Sequence, residues 1–152
     1  MRKIVVADLE KAHAGAGQTP ITVEATVNAS VQKVWDAWTG SEHIVKWNQA
    51  SDDWHCPQAK NDLQPGGRFT FTMAAKDGSF SFDFSGTYDS VDRHRTIAYT
   101  MDDGRKAQVL FEEKGGKTHI CETFDAENMH AEEMQRAGWQ AILDNFKKYV
   151  EG

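Results

Sequence analysis

Acid–base chemistry needs a proton acceptor and a proton donor side by side, and one stretch of this chain gathers the residue types for it. Between Trp47 and Arg68 stand Asn48, Asp52, Asp53, Trp54, His55 and Asp62, a run rich in both aromatic and ionisable groups. An Asp beside a His acts as base and acid, or forms part of a metal site. The alternative is structural: Arg68 pairs with Asp62 or with Glu122 and holds a sheet edge. Elsewhere the chemical signals fade. His43, His94, His119 and His130 share no spacing, and no G-x-S-x-G, H-E-x-x-H or phosphate-loop pattern occurs. Cys56 and Cys121 are the two cysteines, and neither belongs to a C-x-x-C pair or a zinc-type cluster. They read as free, partly buried thiols, and no metal or cofactor is expected. Catalytic residues stay unassigned. Asp52, His55, Asp62 and Arg68 are expected instead as polar groups at the mouth of a pocket.

The stronger signal is apolar. Five Trp and an aromatic content of 11% are high for a chain of 152 residues. Trp35, Trp38, Trp47 and Trp54 fall in the first half, Phe69, Phe71, Phe82, Phe84 and Tyr99 in the middle, and Trp139, Ile142 and Phe146 near the end. Ligand pockets are lined mainly by such groups with a few placed polar ones, so these twelve are the expected ligand-binding residues. The opposing reading is a filled core. Gly138 adds a clue, because glycine within a helix costs about 1 kcal/mol relative to alanine. Close packing of helix on sheet is the favoured cause, and approach of a ligand is the other.

The elements that must position these groups follow from periodicity. Residues Ala131 to Val150 put Trp139, Ile142, Leu143, Phe146, Tyr149 and Val150 on one helical stripe, with Glu132, Glu133, Arg136, Asp144 and Lys147 elsewhere. Such a helix is roughly 30 Å long and needs a broad apolar surface. Strands supply it. Ile21, Val23, Ala25 and Val27 alternate with polar residues; Asn28 or Ser30 then caps a short helix from Val31 to Trp38, ended by Gly40, and Ser41 begins a second. A strand at Trp54 to Cys56 is stopped by Pro57. After the Pro65-Gly66-Gly67 turn, Phe69, Phe71 and Met73 share one face, and Phe80, Phe82, Phe84, Gly86 and Tyr88 share the next. Strands around Ile97 to Met101, Gln108 to Glu113 and Thr118 to Phe124 complete an antiparallel meander joined by hairpins. The expected class is α+β: a curved antiparallel sheet wrapped around a long carboxy-terminal helix, with two short helices after the first strand.

Size and charge bound the function. A chain of this length forms one domain by the usual prior, with residues 1–18 read as a flexible leader carrying a possible short strand at Ile4 to Val6, and 19–152 as the folded unit. The net charge of −6 and scattered basic residues argue against nucleic acid, and Arg93, His94 and Arg95 read as a turn. No apolar run approaches the roughly 20 residues that span a bilayer, and IVVA is too short for a secretory signal. No membrane insertion and a cytoplasmic location are expected.

The segments VWDAWTGSEHIVKWN, DDWHCP, NDLQPGGRF and MQRAGWQAILDNFKKYVE resemble the family related to the carboxy-terminal domain of the heat-shock-protein-90 ATPase activator. That family lies within the START-like (SRPBCC) superfamily, with the polyketide cyclases and the birch-pollen-allergen fold. The resemblance covers roughly Pro20 to Glu151, and its most specific features are GW-x-x-x-L-x-x-F-x-x-Y and Pro-Gly-Gly-Arg-Phe. It implies a helix-grip fold and a cavity between sheet and helix that takes small apolar or amphipathic ligands. It supplies no catalytic motif. The other functions it implies are a polyketide cyclase-like or hydrolase-type enzyme, and a co-chaperone-like partner of the 90-kDa heat-shock protein; the co-chaperone's separate amino-terminal domain has no counterpart here.

Overall fold

The computed structural model describes residues 19–152; the expected leader and the strand at Ile4 to Val6 lie outside them. Strand β1 (Pro20–Val27) leads into helix α1 (Val31–Thr39) and helix α2 (Ser41–Trp47). Strands β2 (Trp54–Asn61), β3 (Arg68–Ala75), β4 (Ser81–Asp92), β5 (Thr96–Met101), β6 (Lys106–Lys114) and β7 (Lys117–Asp125) follow, and helix α3 (Glu132–Glu151) ends the chain. The seven strands form one sheet in the order β1-β7-β6-β5-β4-β3-β2, antiparallel throughout. From β2 to β7 each strand turns directly into its neighbour, and β1 pairs with β7 to close the meander. The sheet curls around α3 as the apolar stripe of that helix requires.

Local signals set the element boundaries. The Ser30 side chain accepts a hydrogen bond from the Lys33 amide at 3.3 Å and caps α1, and Gly40 ends it. On α3 the buried positions are Gln135, Leu143, Phe146 and Val150, with Glu132 and Glu133 in the first turn and Lys148 in the last, the arrangement the helix dipole favours.

An edge strand presents unpaired backbone groups, and both edges here are covered. Along β1, Arg136 Nη1 donates to the Thr22 carbonyl at 2.6 Å, Gln140 Nε2 to that of Glu24 at 2.9 Å, and Lys147 Nζ to that of Thr26 at 2.7 Å. Glu151 accepts from the Asn28 amide at 2.8 Å. The polar flank of α3 thus satisfies the outer edge of β1 while its apolar stripe faces the sheet. At the other edge α2 packs on β2, and Asn61 Nδ2 donates to the Thr39 carbonyl at 2.8 Å.

Two strand expectations need correction. Pro57 does not stop β2, which runs on to Asn61 through a register shift between His55 and Gln58. An edge strand tolerates proline because one side of its backbone needs no partner, and the irregularity absorbs it. Phe80 precedes β4 rather than standing in it, and Phe80 and Phe82 are 59% and 48% exposed. Both rings pack edge-on or tilted against Trp54. Among the described residues no helix is long and apolar enough to cross a membrane.

Candidate functional site

The curled sheet and α3 do not close on each other. A cavity of about 450 Å³ lies between them, within the roughly 300–1,000 Å³ range of small-molecule sites. Its floor is Phe69, whose ring stacks on Phe71 with centroids 5.1 Å apart and meets Tyr99 edge-on at 5.1 Å and Tyr88 tilted at 5.2 Å. The ring fits because its cross-strand neighbour is Gly86. A Cβ there would stand 2.9 Å from Phe69 Cζ and 2.4 Å from the Thr100 carbonyl oxygen.

The roof is α3. Trp139 lies flat on Phe124, 3.8 Å between centroids and 9° between planes, and turns its other side to the cavity beside Phe84. Gly138 overturns the packing explanation. It lines the cavity, and a Cβ built on it meets no atom within 4 Å. Its missing side chain leaves open space instead of admitting a neighbouring backbone.

Nine of the twelve expected apolar residues line this cavity: Trp38, Trp47, Phe69, Phe71, Phe82, Phe84, Tyr99, Trp139 and Ile142. Trp35, Trp54 and Phe146 do not. Trp35, on α1, is buried against Phe111 and His94. Trp54 packs on Phe80 and Phe82 at the sheet's far end. Phe146 is fully buried and meets Trp38 and Trp47 edge-on, each at 4.9 Å, which fastens α3 to the two short helices.

The four polar residues expected at the mouth do not line the cavity either. Asp52 is exposed in the turn before β2, and His55 stands on β2 itself. Asp62 accepts from Gln64 at 3.0 Å. Arg68 pairs with neither Asp62 nor Glu122; its Nη2 donates to Asp102 at 2.8 Å and its Nη1 to Thr87 at 3.2 Å. Hydrogen bonds from Arg68 and Ser85 hold the Asp102 carboxyl below the usual range. The exposed rim is built from Ala50, Phe82, His130 and Met134. Gln135 fastens the segment between β7 and α3, accepting from the Glu127 amide at 2.8 Å and donating to the carbonyls of Glu127 and His130 at 3.0 and 2.8 Å. Among the described residues no group of three His, Cys, Asp or Glu side chains is placed to hold a metal ion. Cys56 and Cys121 are both buried and form no disulfide with each other.

The sequence reading missed a buried carboxyl inside the cavity. Glu122 lines the cavity and is 6% exposed. Burial pushes its carboxyl up to about 8, so at neutral pH it is mostly protonated and able to donate a hydrogen bond. Burial likewise drives the Tyr99 hydroxyl well above its ordinary value, with Glu122 and Tyr88 adding to the effect and Arg105 opposing it. A signal was present. In Thr118, Ile120, Glu122, Phe124 a single carboxylate occupies the apolar register of β7, opposite Val109 on β6 and Val23 on β1.

The comparisons agree with this geometry. The sequence profile of the family described as "Activator of Hsp90 ATPase homolog 1-like protein" matches residues 28–151. The solution structure of an AHSA1-like protein from Aeromonas hydrophila is 48% identical, with a TM-score of 0.83 over 88% of this chain and 92% of that one. Chr148 from Cytophaga hutchinsonii is 55% identical, with a TM-score of 0.76 over 86% and 91%. NE0264 from Nitrosomonas europaea, 18% identical with a TM-score of 0.76 over 89% and 95%, shares the fold. No curated protein matches. A sheet that clasps its terminal helix around an aromatic cavity, in a chain whose profile match runs from just after β1 through α3, places the protein in the Activator of Hsp90 ATPase homolog 1-like family of the START-like superfamily.

Proposed function

We propose that the protein binds a small apolar or amphipathic molecule in the cavity between the sheet and α3. The observation that carries this reading is the cavity itself: about 450 Å³, floored by stacked aromatic rings and left open above by a glycine in mid-helix. A filled core would have put a side chain at Gly138, where alanine would favour the helix by about 1 kcal/mol. The family's fold is consistent with ligand binding.

A cyclase- or hydrolase-type reaction would draw on ionisable groups converging inside the cavity. Asp52, His55, Asp62 and Arg68 do not line it, which leaves the enzyme reading without the candidates chosen for it. Partnership with the 90-kDa heat-shock protein is supported by the family name alone, and titration with that chaperone's middle domain tests it separately.

A thermal-shift screen of lipids, flavonoids and polyketide-like aromatics tests the binding reading. A ligand present at 100 times its Kd adds about 2.7 kcal/mol, a rise of roughly 5–10 °C for a domain of this size. Hits that raise the melting temperature and perturb tryptophan fluorescence, to which Trp38, Trp47 and Trp139 contribute from the cavity wall, support the reading. A broad panel that leaves the melting temperature unmoved counts against it.

A further inference from the structure

Most polar side chains on the cavity wall are already engaged. The Tyr88 hydroxyl donates to Asn61 Oδ1, Arg105 Nη1 donates to the Asp125 carbonyl, Gln135 bonds Glu127 and His130, and His130 bonds Glu127. Asn48, at the end of α2, makes only a backbone bond to Ile44, and Glu122 and Tyr99 are the two ionisable side chains that differ. Glu122 is 6% and Tyr99 9% exposed, both line the cavity, and neither side chain has a hydrogen bond to any described residue. A polar group that faces an apolar cavity without a protein partner costs up to about 1–3 kcal/mol unless water or a guest pairs with it, a cost that valine at that register of β7 would avoid.

The sheet brings the two groups to one end. Tyr99 on β5 pairs with Ala107 on β6, Ala107 pairs with Phe124 on β7, and Glu122 lies one inward-facing step from Phe124, opposite Val109. The strand between them carries only a methyl group at the Tyr99 level, and Tyr99 and Glu122 both line the cavity. Around them Ile97 and Trp139 line the cavity with carbon, and Tyr88 and Arg105, both bonded elsewhere, are the polar neighbours of Tyr99.

Building on the guest-binding reading, we propose that Glu122 and Tyr99 form the polar end of the cavity and hold a hydrogen-bond-accepting oxygen, a carbonyl or hydroxyl, carried by an otherwise apolar guest. The protonated carboxyl and the phenol each donate to it. An ammonium head fits less well, because it needs Glu122 ionised where burial disfavours the charged form, and Arg105 on the same wall opposes a second cation.

Two probes of nearly identical shape test this. One is 6-propionyl-2-(dimethylamino)naphthalene, whose ketone accepts hydrogen bonds; the other is its 6-propyl analogue, which has no such acceptor. Each is titrated by fluorescence into the full chain and into the Glu122→Leu and Tyr99→Phe variants at pH 6.5. The expected result is that the native protein holds the ketone about tenfold tighter than the propyl compound, as one buried hydrogen bond implies. Glu122→Leu brings that ratio to near one while binding the propyl compound at least as well, and Tyr99→Phe, which changes no shape, lowers it part of the way. A ratio unchanged by Glu122→Leu overturns the inference. Equal binding of both probes by the native protein also overturns it and leaves the guest-binding reading standing. Failure of both probes to bind the native protein defeats the two together.

Discussion

Replacing Glu122 with glutamine is expected to make the protein more stable at pH 9 than the native chain by a few kcal/mol, and to leave it nearly unchanged at pH 5. The sign follows from proton linkage. An ordinary glutamate ionises near 4.5 and this one near 8 when folded. Below pH 4.5 both states hold the proton and nothing is lost. Between 4.5 and 8 the unfolded chain releases the proton while the folded chain keeps it, so stability falls as pH rises, by up to about 1.4 kcal/mol per pH unit. Above 8 the full penalty is present. The groups around Glu122 do not reverse this. Its strand neighbours Val23 and Val109 are apolar, and α3 contributes Gln135, Trp139 and Ile142 to the cavity wall, none of them charged. Tyr88 and Tyr99 titrate far higher. Arg105, Glu127 and His130 share the wall but are bonded elsewhere, and they are common to both proteins, so the difference between the two isolates residue 122. Urea denaturation of the pair at pH 5, 7 and 9 gives the answer. Parallel pH profiles would mean that Glu122 is ionised in the folded state or is reached by water.

Phe146→Ala should have the largest destabilising effect of any single truncation on α3, about 3–5 kcal/mol. The ring is fully buried and meets both Trp38 and Trp47 edge-on, and edge-to-face pairs add about 0.5–1.5 kcal/mol each beyond area alone. Against a total stability of roughly 5–15 kcal/mol, the loss brings many molecules to the edge of unfolding. The milder Phe146→Leu keeps most of the volume and should lower the midpoint without abolishing the fold. Since Phe146 does not line the cavity, guest affinity in Phe146→Leu should stay close to native. Chemical denaturation supplies the first quantity and a ligand titration the second. A destabilisation under 1 kcal/mol for the alanine variant would mean that α3 is held by its polar flank along β1 instead.

The two variants also separate what the sequence made legible from what it did not. Periodicity carried the framework: the alternation of Phe69, Phe71 and Met73, the stripe from Trp139 to Val150, and the capping at Ser30 all describe local geometry that neighbouring residues impose. Which aromatic rings face the cavity was less accessible, because a core ring and a cavity ring obey the same period. Trp38 and Phe146 occupy equivalent apolar faces of their helices, yet only Trp38 reaches the cavity. The polar site was least accessible. Asp52 and His55 crowd together in sequence, whereas Glu122 sits alone in an apolar register, and much of its environment comes from β1, β5 and α3, outside its own hairpin. Gly138 stands out in the sequence as a helix glycine needing explanation, but only the open space above it distinguishes a cavity from a close contact.

Titration of 1-N-phenylnaphthylamine into the native protein and a Gly138→Leu variant tests most directly whether the gap under α3 receives a guest. Leucine at this position is a better helix former by roughly 1 kcal/mol, and its side chain projects into the open space that the glycine leaves, so the variant stays folded while its cavity shrinks. The expected result is saturable binding of one probe per native chain with a gain in fluorescence, and at least about tenfold weaker binding by a Gly138→Leu protein of unchanged circular dichroism. Equal affinity in the two proteins, or no binding by the native chain, would contradict it.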